Sequence, residues 1–233
     1  MDDKIQQLTR KKQILEKYKK GCMQQILLQT FRFKDDKGKA YPDWEEKTLK
    51  TICNVKGGKR IPKGLSLVSE NNGFPYITVS DMENGSVSLK DIKYVPLEAT
   101  EQIKNYKITT QDIYISVAGT LGLVGIIPAE LENANLTENA NKLTNIKCNQ
   151  TYLLYYLKSD QVENLIKSVK TSNAQPKLAI YAINDFIINL PTLQEQQKIA
   201  NFLSAIDNKI NNTHTQLQQT QQYKKGLLQQ MFI

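Results

Sequence analysis

A short segment that combines cations with glycines is the densest basic cluster in the middle of the chain. Residues 56–64 read Lys-Gly-Gly-Lys-Arg-Ile-Pro-Lys-Gly. Glycine lets a backbone come close to a ligand, and four neighbouring cations repel one another unless anions or acidic side chains meet them. We therefore interpret Lys56, Lys59, Arg60 and Lys63 as phosphate contacts, with a solvated turn as the alternative.

Short polar side chains are concentrated in two later segments, which we predict to be loops. Amides and hydroxyls of this size can hydrogen-bond base edges or phosphates, or they can merely form Asx turns. Composition alone leaves both interpretations open. The candidate contacts are Asn135, Thr137, Asn139 and Asn141 in residues 133–142, and Ser172, Asn173, Gln175 and Lys177 in residues 172–177.

Residues that could support catalysis are scarce. The only histidine, His214, lies in a predicted helix, which removes most Ser-His, Cys-His and His-metal arrangements. Asp43, Glu45 and Lys47 imitate the acidic-lysine signature of many nucleases. Nucleases place the two halves of that signature on neighbouring strands far apart in sequence, so we interpret this crowded pattern as chance.

A glycine-rich segment at residues 119–125 has the spacing G-x-x-G-x-x-G. A dinucleotide or S-adenosylmethionine loop needs a helix after its glycines, but residues 123–127 have the pattern of a strand. We predict a tight turn between two strands, and we expect neither a cofactor nor a metal. The lack of a catalytic set favours a binding role.

The net charge of +8 is unevenly distributed along the chain. Residues 1–34 carry nine basic and three acidic residues, and residues 193–233 carry four and two, which leaves eighteen of each sign in between. The middle of the chain is therefore neutral, so only local cationic clusters can support nucleic-acid binding there.

No membrane segment is expected from the sequence. It contains no run of about eighteen apolar residues, and its start, Met-Asp-Asp before a charged helix, is unlike a signal peptide. The cysteines Cys22, Cys53 and Cys148 are far apart and have no metal-ligand spacing, as is typical of free thiols in a reducing compartment. We expect a cytoplasmic protein with no membrane partner.

Residues 193–233 are predicted to form one long helix. Its stripe positions follow each other at steps of three and four, which places one side chain per turn on a single face. At 1.5 Å per residue the helix would be roughly 60 Å long, so it must pack against another long element. The stripe consists of Ile199, Leu203, Ile206, Ile210, Thr213, Leu217, Thr220, Lys224, Leu227 and Met231.

The partner of this helix is predicted at the other end of the chain. Residues 18–26 read Tyr-Lys-Lys-Gly-Cys-Met-Gln-Gln-Ile and residues 223–231 read Tyr-Lys-Lys-Gly-Leu-Leu-Gln-Gln-Met, an offset of 205 that also matches Asp2 with Asp207. An internal repeat outranks any single motif, although shared composition of two Lys- and Gln-rich helices is the alternative. We predict a first helix from Asp2 to about Thr30.

Residues 41–191 are predicted to form one globular domain between the helices. Trp44 most simply anchors the start of this domain in its core. The expected strands are 74–80, 92–95, 107–109, 112–118, 123–127 and 186–191, and the expected helices are 151–157 and 160–170.

The C-terminal helix resembles the distal conserved region of type I restriction-modification DNA specificity (S) subunits. The resemblance rests on Leu190-Pro191-x-Leu193-x-Glu195-Gln196-Gln197-x-Ile199-Ala200, with Leu203, Asp207 and residues 223–229 beyond it. Residues 41–44, 57–64, 118–122 and 173–177 are similar to patterns in the target recognition domains of that family. The resemblance therefore covers nearly the whole chain.

The resemblance implies a non-catalytic subunit that selects the DNA sequence for two methyltransferase (M) subunits, and for restriction (R) subunits when these join. Each of two recognition domains reads half of an interrupted site in double-stranded DNA, and two long antiparallel helices hold them apart. The candidate contacts would then bind DNA, with guanine as a second target for the cations.

The expected fold class is α/β: one mixed-sheet target recognition domain, 41–191, flanked by two long conserved helices that pack as an antiparallel coiled coil. The N-terminal conserved helix is expected within residues 1–34 and the C-terminal conserved helix within residues 193–233.

The chain departs from the family pattern in having one recognition domain where full subunits have two. Its first helix also lacks a counterpart of residues 193–206. We therefore expect a half subunit that self-associates through the long helices into a homodimer, which would read a palindromic interrupted site. The alternatives are a stand-alone DNA-binding or coiled-coil scaffold protein, and an enzyme that methylates or cuts DNA by itself.

Overall fold

The computed structural model describes residues 1–83, 85–170 and 177–231, and of residues 169, 170 and 231 it describes the backbone alone. The chain forms two compact units. The helical unit contains Met1–Tyr41 and Gln197–Ile233, and the globular unit contains Pro42–Gln196.

The helical unit is built from two long helices, whereas the globular unit combines short strands with short helices. The helices of the described residues are α1 (Asp2–Leu27), α2 (Leu49–Ile52), α3 (Thr100–Ile103), α4 (Gln150–Leu157), α5 (Asp160–Lys170), α6 (Ile180–Asn184) and α7 (Leu193–Met231). The strands are β1 (Glu45–Thr48), β2 (Asn54–Gly57), β3 (Pro75–Ile77), β4 (Lys93–Tyr94), β5 (Lys107–Ile108), β6 (Ile113–Ser116), β7 (Val124–Gly125), β8 (Ala134–Leu136), β9 (Ala140–Thr144) and β10 (Ile187–Leu190). None of the described helices is long and apolar enough to span a membrane.

In the helical unit, α1 and α7 run antiparallel. Three of the side-chain pairs that join them are Lys19 with Asp207 at 2.6 Å, Lys12 with His214 at 3.5 Å, and Lys224 with Asp2. In each of these pairs the two residue numbers add to 226, as expected when two straight helices pass in opposite directions in one register. The two long helices predicted from periodicity are confirmed.

The stripe of α7 is buried over most of its length, as its spacing predicted. Ile199 and Leu203 have no exposed surface, and Ile206, Ile210, Thr213 and Leu217 are also buried. The side of α1 that faces this stripe includes Leu8 and Ile26, which are buried. The polar gaps in the α1 stripe, Lys12 and Lys19, contact His214 and Asp207, so they define the register of the pair instead of weakening it.

The first helix ends three residues earlier than predicted. α1 stops at Leu27, where the N–H of Leu28 donates to the carbonyl of Gln24 at 3.0 Å. Gln29 then adopts a left-handed conformation with φ 59°. A residue in this conformation closes a helix by turning the chain away from the axis.

Three sheets form the frame of the globular unit. β1 pairs with β10, one sheet has the strand order β2-β9-β6-β7, and the other has the order β4-β3-β8-β5. β3 and β8 are parallel whereas the other pairs are antiparallel, so the third sheet is mixed. One core cluster joins side chains from both four-stranded sheets, among them Ile77, Ile108, Tyr114, Leu136 and Ala140.

The prediction that residues 133–142 form a loop was wrong, because β8 and the first three residues of β9 lie in this segment. Apolar and amide side chains alternate there, and the apolar members Ala134, Leu136 and Ala140 are buried. Because polar residues outnumber apolar ones, the composition of the segment indicated a loop. Its alternation of side chains has the period of two that suits a strand.

The glycine-rich segment contains a turn between two strands, as predicted. Residues 117–123 connect β6 to β7, and these two strands pair antiparallel. Gly119 and Gly122 have φ values of 73° and 81°, and a Cβ atom on Gly122 would lie 2.9 Å from Ile166. The glycines therefore serve the turn and the packing of α5 against it.

Trp44 anchors the start of the globular unit, as predicted. Its ring packs edge-on against Tyr152, with 6.2 Å between the ring centroids. Its Nε1 donates a hydrogen bond to Glu195 at 3.1 Å. Burial strongly raises the pKa of Tyr152, whose hydroxyl donates to the carbonyl of Asn189 at 2.5 Å.

Candidate nucleic-acid interface

The basic segment at residues 56–64 begins inside a sheet and leaves it along a neighbouring turn. In the β2–β9 ladder, Lys56 lies opposite Lys142. Beyond β2, the N–H of Gly58 donates to the carbonyl of Ala140 at 3.0 Å, and the N–H of Lys59 donates to the carbonyl of Leu136 at 2.8 Å. The segment is therefore tied to both ends of the turn between β8 and β9.

Gly58 is required for this attachment. A Cβ atom at this position would lie 2.1 Å from the carbonyl oxygen of Thr137 and 2.4 Å from that of Leu136. No side chain fits at these distances, so glycine permits the close approach of two backbones. The sequence suggested that glycine lets the backbone approach a ligand. At Gly58 the backbone instead approaches residues 136 and 137 of the same chain.

The four predicted cations are all exposed, and two of them have neighbours that orient them. The ammonium group of Lys59 lies 5.7 Å from the centroid of the Tyr106 ring. The Nε of Arg60 donates to Oε1 of Glu138 at 2.6 Å. Acidic side chains were one way to offset the repulsion among the four cations, and Glu138 does so at Arg60.

Glu138 is a residue of this site that sequence reasoning missed. Partial burial alone would raise its pKa, but the hydrogen bond from Arg60, together with those from its own backbone and from Thr137, outweighs burial and holds the pKa of Glu138 below its usual value. The same pairing raises the pKa of Arg60. In the sequence, the only indication that Glu138 belongs to the site was its position between the candidate contacts Thr137 and Asn139.

The predicted amide and hydroxyl contacts divide into three buried residues and one partly exposed residue. Asn135, Thr137 and Asn141 are 3%, 4% and 4% exposed, whereas Asn139 is partly exposed. Asn135 donates through Nδ2 to the carbonyl of Ile103 at 2.7 Å. The Nδ2 of Asn141 is buried and has no hydrogen-bond partner among the described residues. Their contact with a ligand stays a prediction.

The last predicted segment lies only partly within the described residues. Ser172, Asn173 and Gln175 are outside them, and Lys177 is exposed. Next to Lys177, the N–H of Leu178 donates to the carbonyl of Val117 at 3.0 Å, and the N–H of Val117 donates to the carbonyl of Asn139 at 2.7 Å. Two backbone hydrogen bonds thus connect Lys177 to the segment that holds Asn139.

Two of the residues that imitate a nuclease signature form an ion pair with each other. Glu45 and Lys47 lie on β1 and form an exposed ion pair of 2.8 Å, and the hydrogen bond from Lys47 lowers the pKa of Glu45. Within residues 1–83, 85–170 and 177–231, no group of three His, Cys, Asp or Glu side chains could hold a metal ion. Within the described residues, the site combines exposed positive charges with the turn between β8 and β9, which carries amide side chains.

A globular domain of this build, with a cationic segment fixed beside an amide-bearing turn, has the features of a nucleic-acid-binding module. Residues 41–222 match the family model of the type I restriction modification DNA specificity domain. The chain belongs to this family.

Relatives and solved structures agree with this assignment. The chain is 28% identical over 224 residues to a Methanocaldococcus jannaschii protein described as the type I restriction enzyme MjaX specificity subunit, covering 89% of the chain and 50% of the relative. It is 22% identical over 181 residues to the Escherichia coli type I restriction enzyme EcoBI specificity subunit, covering 73% and 38%. The chain thus spans about half the length, or less, of these relatives.

Two crystal structures share the fold. The S subunit of a type I restriction-modification system from M. genitalium has a TM-score of 0.65 at 17% identity, covering 97% of this chain and 56% of that one. The HsdS subunit from Thermoanaerobacter tengcongensis has a TM-score of 0.62 at 18% identity, covering 91% and 49%. At these identities the likeness concerns the fold alone.

Proposed function

We propose that the chain recognises a specific sequence in double-stranded DNA as the specificity subunit of a type I restriction-modification complex. In this role it directs methyltransferase and restriction subunits to one half of a bipartite site. The family match over residues 41–222, which includes the whole globular unit from residue 42 to residue 196, is the observation that carries the proposal.

The DNA contacts are assigned by exposure. Lys56, Lys59, Lys63 and Lys177 are exposed lysines that would bind phosphates, and Asn139 is the partly exposed amide that would reach a base edge. Asn135, Thr137 and Asn141 are buried, so we assign them the task of shaping the turn that carries Asn139 and Glu138. Ser172, Asn173 and Gln175 remain proposed contacts on the strength of the family resemblance.

The chain would carry out no chemistry of its own. Methyl transfer and strand cleavage would be carried out by the M and R subunits, and this chain would need no cofactor. Purified chain incubated with labelled S-adenosylmethionine and DNA should then transfer no label. Transfer by the chain alone would contradict this part of the proposal.

The helical unit is the proposed docking surface for methyltransferase subunits. The repeat places Tyr18 and Tyr223 at equivalent positions of α1 and α7, and both are more than half exposed, at 54% and 63%. Lys20 and Lys225 follow them and are also exposed. Two copies of one surface suit two copies of one partner.

Self-association is proposed from the register of the same helices. α7 contains both Asp207 and Lys224, the residues that pair with Lys19 and Asp2 of α1. These two positions lie symmetrically about the midpoint between Thr215 and Gln216. A second α7 running antiparallel in the register of α1 would therefore pair Asp207 of each copy with Lys224 of the other. Such a two-fold pairing would support a homodimer on a palindromic interrupted site.

Methylome sequencing tests the function as a whole. Cells that express the chain with its cognate methyltransferase should carry methylation at one recurrent interrupted motif. That motif should disappear when the chain is omitted. Methylation at the same motif without the chain would overturn the proposed role in sequence selection.

A salt titration tests the interface. Replacing Lys59 and Lys63 together by Ala should weaken DNA binding and reduce the slope of log K against log salt by up to ~1.8, since each phosphate contact contributes ~0.9. Lys147→Ala is the matched control, because Lys147 is exposed and its N–H donates to the carbonyl of Ile52, near the other end of β2. Equal slopes for all three proteins would remove residues 56–64 from the interface.

A further inference from the structure

Arg60 is held differently from the lysines near it. Its Nε donates to Glu138 at 2.6 Å, and its side chain is 76% exposed whereas that of Glu138 is 25% exposed. The carboxylate is therefore the inner member of the pair and the guanidinium group the outer member. Among the residues that the structure describes, this is the hydrogen bond that the Arg60 side chain makes, and it leaves Nη1 and Nη2 available.

The carboxylate of Glu138 is itself fixed from the other side. Its Oε2 accepts a hydrogen bond from the hydroxyl of Thr137 at 3.1 Å, while Oε1 accepts the bond from Arg60. Thr137 is buried, and its N–H donates to the carbonyl of Ile77 at 3.0 Å. The anion that orients Arg60 is thus attached to the strands of the mixed sheet.

The backbone that carries Arg60 rests on the same strands. The N–H of the preceding Lys59 donates to the carbonyl of Leu136 at 2.8 Å, and the Lys59 carbonyl accepts from the hydroxyl of Tyr76 at 2.9 Å. The close approach of Gly58 to residues 136 and 137 adds a third attachment. The backbones that carry the two members of the ion pair are therefore attached to each other and to the same strands.

A guanidinium group held through Nε presents its two Nη groups outward as a planar pair of donors. Guanine offers two adjacent acceptors, O6 and N7, in the major groove, and a bidentate arginine is the commonest specific contact to them. A phosphate can be neutralised by any nearby cation. It is also attracted less by an arginine whose charge is balanced by a carboxylate 2.6 Å away than by a lysine without such a neighbour.

We propose that Arg60 and Glu138 form a guanine-reading unit, in which Arg60 contacts the base and Glu138 is a positioning residue that holds the guanidinium plane. This inference rests on the proposed function, because it requires that the globular unit bind duplex DNA. Lys56, Lys59 and Lys63 then supply the contacts that do not depend on sequence. One guanine of the half-site is discriminated by Arg60.

The experiment is selection of the full 233-residue chain on a pool of random DNA duplexes, followed by binding to the selected duplex and to its single-base variants. Arg60→Lys keeps the charge and removes the planar pair of donors. Glu138→Gln keeps the size and an acceptor oxygen and removes the charge. Lys63→Ala is the control for a phosphate contact, and thermal melts compare the folding of all variants.

The wild-type chain should enrich a motif that contains guanine. Arg60→Lys should lose about 5- to 150-fold of discrimination at one guanine and keep it at the other positions. Glu138→Gln should reduce discrimination at the same guanine by a smaller factor. The neutral amide oxygen can still accept a hydrogen bond from the guanidinium group, but a weaker one than the carboxylate accepts. Lys63→Ala should weaken binding to all duplexes alike and leave the motif unchanged.

The result distinguishes this inference from the function on which it rests. A wild-type motif together with an Arg60→Lys variant that weakens every duplex equally would overturn the inference and leave the proposed function standing. Relaxation by Glu138→Gln at a different position from Arg60→Lys would overturn the coupling of the two residues. A wild-type chain that enriches no motif would overturn both.

Discussion

The helical unit and the globular unit relate sequence to contact in opposite ways. In the helical unit three polar contacts between α1 and α7 follow one rule, since each joins residues whose numbers add to 226. In the globular unit the strands are two to five residues long, and β1 pairs with β10 while β2 pairs with β9. Periodicity along the chain therefore explains the first unit, and pairing across long separations builds the second.

The two units also differ in charge. The helical unit contains 15 basic and 6 acidic residues, whereas the globular unit contains 16 and 17. The excess positive charge of the chain thus belongs to the helices and not to the unit that we propose to read DNA. Net charge is consequently a poor guide to the interface, and the local cluster at residues 56–64 has to supply the attraction.

The largest effect is expected from a cavity in the helical unit. Leu203 has no exposed surface on the stripe of α7, so Leu203→Ala should destabilise the protein by about 2–5 kcal/mol. Ile14 on α1 is 55% exposed, and Ile14→Ala should stay within about 0.5 kcal/mol of the wild type. Urea unfolding measures both, and equal stabilities would show that the two helices do not depend on this stripe.

Replacing one glycine in each unit by alanine allows a direct comparison of the two units. A Cβ atom on Gly58 would lie 2.1 Å from a carbonyl oxygen, so Gly58→Ala should cost about 1–3 kcal/mol. A Cβ atom on Gly21, within α1, meets nothing within 4 Å, so Gly21→Ala should stabilise by about 0.5–1 kcal/mol through the higher helix propensity of alanine. Opposite signs in thermal melts would support the comparison, whereas two losses would contradict it.

The register of the helices can be tested by reversing charges. The Lys19 and Asp207 side chains are 14% and 32% exposed, and Lys19→Asp should cost about 1 kcal/mol, which Asp207→Lys in the same chain should restore.

Combining Lys19→Asp with Asp2→Lys breaks the Lys19–Asp207 and Asp2–Lys224 ion pairs and leaves α7 unchanged. If a second copy can occupy the place of α1, this double variant should have a larger dimer fraction in light scattering. A dimer fraction no larger than that of the wild type would count against the proposed pairing of two α7 helices.

The smallest effect is expected at the cysteines. Burial raises the pKa of Cys53 to about 12 and that of Cys148 to about 11, so both thiols stay neutral and react slowly at pH 8. Cys53 is buried whereas Cys22 and Cys148 are partly exposed, so Cys53 should react more slowly with a thiol reagent than Cys22, and all three should react after unfolding. Equal rates for Cys53 and Cys22 in the folded protein would contradict the burial of Cys53.

The same shifts give a pH dependence. Because the folded pKa values of Cys53 and Cys148 lie above the unfolded value of 9.0, the stability that depends on their neutral form is complete below pH 9. It is lost as the pH rises through about 11 and about 12. Stability that rises between pH 9 and 11 would contradict this sign.

Short elements were predicted well where their signal was local. The helix predicted at residues 160–170 matches α5, and the strand predicted at residues 186–191 contains β10. The candidate cations were likewise visible as a cluster. The pairing of Arg60 with Glu138 was not visible, because 78 residues separate them and only the attachment of β2 to the turn after β8 brings them together.

The sequence by itself determined the two long helices, the repeat that relates them and the position of the cationic segment. A period of three and four, a repeat at an offset of 205 and a run of charged residues are all properties of neighbouring or equivalent positions. Only the tertiary structure decided which amides are buried, which carboxylate holds Arg60 and why Gly58 must be glycine. Those features depend on contacts between strands that are distant in sequence, and no local pattern encodes such distances.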